Sequence, residues 1–146
     1  MRTATWTELS AIITSIPKVF HQMSEEEFSF KSGPDKWSRK EILGHLIDSA
    51  TNNHHRFVRS QFEEVPIITY EQNNWNRFNY YEHLGKQQLI DFWTLYNKQI
   101  LALMEQMPDE HLAKKCNTGG AEPLTIEYLF TDYVQHIKHH LTQIIP

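Results

Sequence analysis

His136 and His140 stand one helical turn apart in the segment DYVQHIKHHLTQI, and a third histidine, His45, lies in the run EILGHLIDS. Side chains four apart share one face of an α-helix, so two imidazoles at this spacing can close on a single divalent ion. With 9 His among 146 residues, chance alone supplies roughly half such a pair per chain, so the spacing needs support from the elements that carry it. Three neutral imidazoles leave a divalent ion with an open position, which water, a thiolate or a substrate oxygen can take. Imidazole suits Zn, Ni, Cu or Fe, and one zinc or nickel ion per chain is the expectation. Position 137 is Ile, where an HExxH helix would carry its general-base Glu, and no catalytic acid or base is identified.

Four amphipathic helices and no strand are predicted. In the first, Trp6, Leu9, Ile13, Ile16, Phe20 and Met23 recur at steps of three and four, with Pro17 either kinking the helix or opening its second half. The second starts at an S-x-x-E capping box, Ser38 and Glu41, with Trp37 placed to staple onto Ile42, and runs to about Phe62. Leu89, Trp93, Tyr96, Ile100, Leu103 and Met107 mark the third, stopped by Pro108. The fourth begins near Thr125, after Pro123, and buries Leu129, Tyr133, Val134, Ile137, Leu141 and Ile144.

Residues 24–37 and 108–124 read as polar loops, whereas residues 63–83 form a long aromatic-rich stretch without helical periodicity. A crossover of that length lets the second and third helices run parallel, giving an up-down-down-up four-helix bundle. Depth then tests the metal idea. His45 lies 7 residues inside its helix start, and the midpoint of the His136–His140 pair lies 7 residues from a helix end at 145. With those two helices antiparallel, all three rings fall about 10 Å in; were they parallel, they would miss by about 9 Å. The three-histidine site and the long crossover require each other.

The chain length predicts a single domain over 1–146 with a real core. A net charge of −4 offers no footprint for nucleic acid, and no apolar run approaches the ~20 residues of a membrane span. Cys116 is the only cysteine, so no intrachain disulfide forms, and nothing near it in sequence would activate it as a nucleophile. The start MRTATWTELS has no apolar signal region, which makes the cytoplasm the expected compartment.

The run PDKWSRKEILGHLIDSATNNHHRFVRSQ, then VPIITYEQNNW, then DYVQHIKHHLTQI, resembles the DinB-like superfamily and, within it, the YfiT-like branch of metal-dependent hydrolases. The likeness covers most of the chain and rests on the ordered combination W-S-x-x-E-I-x-x-H-L-x-D-S, P-x-I-x-Y-x-x-x-x-W and H-x-x-x-H. It implies an up-down-down-up bundle whose metal ligands fall on His45, His136 and His140. It also implies a metal-dependent hydrolase or a low-molecular-weight-thiol S-transferase acting on a small molecule, with the thiol as cosubstrate. A metal- or ligand-binding stress-response bundle without turnover is the alternative, and a homodimer is left open.

Helix phase places Asn52 and Arg56 on the His45 stripe, about 10 and 16 Å along the axis, so they are candidates for a substrate's far end, with Tyr70 and Trp75 above them. Each has a plainer reading. Arg56 could equally pair with a neighbouring helix, and Tyr70, Trp75, Phe78, Tyr80 and Tyr81 could be packing or dimer surface rather than a lid. Glu41 fits its cap better than the site, and Asp48 is either a carboxylate backing the ligands or an ordinary polar contact. His54 lies opposite His45 around its helix, His55 and His139 flank the stripes, and His21, His83 and His111 are isolated.

Overall fold

Ser38 and Glu41 close their capping box: Glu41 N donates to Ser38 Oγ at 3.2 Å, and Ser38 N donates to Glu41 Oε1 at 2.9 Å. From this start α3 runs Arg39–Arg59 in the computed structural model, which describes residues 1–146. The other bundle helices are α1 (Arg2–Gln22), α5 (Lys86–Gln106) and α6 (Ile126–Ile144), with the short α2 (Glu25–Ser29) and α4 (Gln72–Asn79) in the connections. Pro17 sits inside an unbroken α1. Thr125 caps α6, its hydroxyl accepting from Tyr128 N at 3.1 Å.

Named contacts fix the helix directions. Arg39 Nε, at the start of α3, donates to Ile144 O at the end of α6, and Phe57 near the end of α3 packs edge-on against Phe130 near the start of α6. These two helices are antiparallel. Arg2 donates to Met107 O past the end of α5, while Lys86 at the start of α5 donates to Met23 O past the end of α1, so α1 and α5 are antiparallel too. Thr5 meets Thr131 and Glu8 meets Lys138, which makes α1 and α6 parallel. The order is therefore up-down-down-up, as the long second connection required.

The apolar stripes of the four helices meet in one cluster of 28 buried residues, with Trp93, Tyr133, Phe20, Phe28, Phe57 and Phe130 as the largest fully enclosed side chains. At its centre Tyr133 Oη donates to Asn97 Oδ1 at 2.6 Å, which satisfies the one polar tip that the ring carries inward. No helix is long and apolar enough to cross a membrane.

Three connections carry more structure than the sequence patterning predicted. The 24–37 stretch opens with α2, capped by Ser24 and too short to show a period. The 63–83 stretch contains α4 and a turn of 3-10 helix at Tyr81–His83. Helix α4 reads QNNWNRFN and is held by polar bonds rather than an apolar stripe: only Asn76 is buried, donating to Glu41 O at 2.7 Å. In the 108–124 stretch β1 (Lys115–Cys116) pairs antiparallel with β2 (Leu124–Thr125), two residues each, a length over which alternation cannot be read. α3 also ends at Arg59 rather than near Phe62, because the backbone tightens into turns there, with Gln61 N and Phe62 N donating three residues back.

Candidate metal centre

His45 occupies the second turn of α3, His136 and His140 lie one turn apart in the C-terminal half of α6, and the antiparallel pairing brings the three to one level. The Nε2 atoms of His45 and His136 are 3.0 Å apart, and one nitrogen from each of the three rings lies within 4.8 Å of the other two. Ring centroids are 4.9 Å apart for His45 and His136, 4.7 Å for His45 and His140, and 4.5 Å for His136 and His140. His45 is fully buried, while His136 and His140 are partly exposed, so the cluster is closed on the α3 side and open on the other. Ile137, between the paired histidines, is buried in the core and contributes nothing to this face.

Burial, then repulsion from His136 and His140, pushes His45 down to about 3. His136 falls to about 4, again by burial first and then by His140 and His139. Both rings are therefore neutral at pH 7 and keep lone pairs for a cation. The donor set fits a divalent transition metal. Two ligands about 2.1 Å from a tetrahedral ion lie roughly 3.4 Å apart, within a few tenths of the separation seen between His45 and His136. The Nδ1 atoms of these two rings are buried without a hydrogen-bond partner, whereas His140 Nδ1 meets Gln143 Oε1 at 2.8 Å.

These shifts set an acid limit on the metal-free protein. The unfolded chain binds more protons than the folded one wherever a His is depressed, so the His45 and His136 contributions are present above about pH 6.5 and are lost as pH falls toward 3. Asp48 works in the opposite direction. Burial pushes it up to about 6 against hydrogen bonds from Tyr81 and Asn79, so between its unfolded value of 3.8 and about 6 the folded state gains stability on acidification. Urea midpoints of the metal-free protein should fall from pH 7 to 4, and more steeply in Asp48→Asn, which lacks the opposing slope. A flat profile in both would mean that the two rings are not held neutral.

Asp48 accepts from Tyr81 Oη at 2.5 Å and Asn79 Nδ2 at 2.9 Å, both on Oδ1, and so ties α3 to the crossover. Glu41 stays in its cap and accepts a salt bridge from Lys31. Asn52 is buried and donates to Asp48 O at 2.9 Å. Arg56 reaches the crossover: Nε and Nη2 donate to Ile68 O at 3.1 and 2.9 Å, and the guanidinium lies over the Tyr70 ring at 5.7 Å. Tyr70 in turn meets Trp75 edge-on at 6.1 Å, so Arg56, Tyr70 and Trp75 form one chain of contacts. His54 bonds Tyr96 on another face, and His139 stacks edge-on against His140. Cys116 is buried and its thiol is pushed up by that burial, which removes it as a nucleophile.

Three neighbours of the centre were not singled out by sequence. Trp37, expected only as a staple, lies against His45 with ring centroids 5.1 Å apart. It shares a cavity of about 390 Å³ with Ile42, Asn73 and Gln143, beside the histidine cluster. The Gln143 contact was within reach of helix spacing, being three residues from His140, while Asn73 depends on the path of the crossover. The largest cavity, about 450 Å³ and lined by Ser60, Phe62 and Lys114, lies at the other end of α3 and has no part in this chemistry.

A sequence profile described as the DinB superfamily matches residues 5–144. Two proteins named "putative metal-dependent hydrolase" also match. One, from Halalkalibacterium halodurans, is 23% identical over 137 residues, which cover 90% of this chain and 80% of that protein. The other, YfiT from Bacillus subtilis, is 21% identical over 138 residues, covering 93% and 78%. The solved structure of YfiT, described as a probable metal-dependent hydrolase with an unusual four-helix bundle topology, superposes with a TM-score of 0.87 at 20% identity, over 98% of this chain and 83% of that one. A mycothiol-dependent maleylpyruvate isomerase superposes with a TM-score of 0.78 at 10% identity, over 97% of this chain and 60% of that one. At these identities the structural likeness carries the fold alone, and the family rests on the profile.

Proposed function

This chain belongs to the DinB superfamily, and we propose that His45, His136 and His140 hold one divalent transition metal in it, serving a transferase that moves a low-molecular-weight thiol onto a small electrophilic substrate. The observation that carries this reading is the make-up of the cluster: three imidazoles, with the two carboxylates of α3 engaged elsewhere, Glu41 by its cap and Lys31, Asp48 by Tyr81 and Asn79. An ion held there supplies Lewis acidity that lowers the pKa of a thiol or water brought to it. A thiol needs less help. Its pKa starts near 8.5 against 15.7 for water, so a cluster with no carboxylate among its three members suits sulfur better.

This chain's own residues do the remaining work. His45, walled in by Trp37, keeps solvent from the α3 side, while the partly exposed His136 and His140 face the approaching substrate. Asn52 and Arg56 lie further along the same stripe, and Arg56 holds Ile68, Tyr70 and, through Tyr70, Trp75 in place as the substrate-side wall. Hydrolysis is the second reading, supported by the names of the two curated relatives.

The test is turnover by zinc- and nickel-loaded protein, with free thiol and electrophile followed together. Thiol S-transfer consumes both at a one-to-one ratio and stops when either is withheld. Ester or amide cleavage that proceeds at the same rate without thiol would replace this reading with the hydrolytic one.

A further inference from the structure

We infer that Gln143 is a positioning residue of the metal centre, its side-chain carbonyl fixing the His140 ring with Nδ1 protonated and the Nε2 lone pair turned to the cluster. The inference rests on the triad reading and adds a residue to it. His140 Nδ1 and Gln143 Oε1 are 2.8 Å apart. A neutral imidazole has one N–H and one lone pair, so a ring that donates from Nδ1 to a carbonyl keeps Nε2 free to bind an ion.

Of the three histidines this one most needs such a clamp. His45 is enclosed by Trp37 and the bundle, and its ring has little room to turn. His140 is partly exposed and sits in the last turn but one of its helix, where packing constrains a ring least. Gln143 can act as a clamp because its own backbone is pinned. Ile144 is fully buried, its carbonyl accepts from Arg39 Nε at 2.8 Å, and Ile145 N donates to Leu141 O at 2.9 Å, so the end of α6 is closed on both sides of Gln143.

The chemistry of the clamp is directional, which makes it testable by side-chain type. A glutamine could in principle present either end of its amide to His140, and only the carbonyl end leaves Nε2 as the ligand. Glutamate can only accept, and leucine can do neither. Metal affinity should therefore follow acceptor strength at position 143, with glutamate at least equal to glutamine because a charged acceptor raises the basicity of the ring.

The experiment is equilibrium zinc binding by competition with a chromophoric chelator, with the cobalt(II) visible spectrum as a second readout. Wild type, Gln143→Leu, Gln143→Glu and His140→Ala are compared. Gln143→Leu is expected to weaken zinc about tenfold, the low end of the range for ligand-orienting partners because the site is exposed. Gln143→Glu should restore or exceed wild-type affinity with an unchanged cobalt spectrum. Equal weakening by Leu and Glu, or wild-type affinity in Gln143→Leu while His140→Ala loses the ion, overturns the inference and leaves the triad standing. Wild-type binding by His140→Ala removes the triad reading and this inference with it.

Discussion

His45→Ala is expected to strip the protein of its ion under conditions where the wild type carries one per chain. Removal of a single orienting partner of a ligand costs 10- to 100-fold in affinity, so removal of a ligand itself should exceed 100-fold. His45 is the most informative of the three to remove, because it is the one histidine of the cluster that α3 contributes and it meets His136 of α6. The fold should survive, since the imidazole is one member of a long antiparallel contact also held by Arg39 to Ile144 and by Phe57 to Phe130. His54→Ala is the matched control: same helix, same residue type, but bonded to Tyr96 on another face. Elemental analysis of both variants, purified alongside wild type without added metal, decides it. Full occupancy in His45→Ala with a native helical spectrum would mean that any bound ion sits elsewhere.

That the centre could be reached from sequence follows from helix geometry. A spacing of four fixes a shared face, and a fixed rise per residue turns distance from a helix end into depth, so His45 could be levelled with His136 and His140 once the two helices were taken as antiparallel. The length of the crossover supplied the direction. What could not be read has equally local causes. Helix α4 is placed by single polar bonds, Asn76 to Glu41 and Asn79 to Asp48, and such bonds leave no period in the sequence. The β1–β2 pair is too short to alternate, and α2 is five residues long. Helix phase put Arg56 on the His45 stripe, but phase cannot say what a long side chain will meet, and the Ile68 carbonyl comes from a segment whose path was unknown. Trp37 shows the same limit: its place before the cap was legible, its contact with His45 was not.

The other large effect concerns Gly44, next to His45. Alanine in place of glycine within a helix ordinarily stabilises by about 1 kcal/mol, because the unfolded chain loses freedom. Here the sign should reverse. A Cβ at position 44 would stand 2.2 Å from Tyr81 Cδ2 and 2.5 Å from Cγ, so the ring of a buried tyrosine, not the tip of a flexible chain, would have to move by more than an ångström. Moving it strains the Tyr81 hydroxyl bond to Asp48, whose other oxygen is already buried without a partner. Overpacking of about 1–3 kcal/mol and a weakened buried hydrogen bond of about 1–3 kcal/mol together outweigh the helical gain, for a net loss of roughly 1–5 kcal/mol. At this chain length that corresponds to a fall in Tm of about 2 to 20 °C. Tyr81→Ala removes the obstacle, so Gly44→Ala made in that background should be neutral or stabilising, and the double-mutant cycle should return a coupling of several kcal/mol. Equal losses in both backgrounds would show that the close approach of the crossover to α3 is not what demands glycine at 44. The crossover would then be free to shift without disturbing the turn that carries His45.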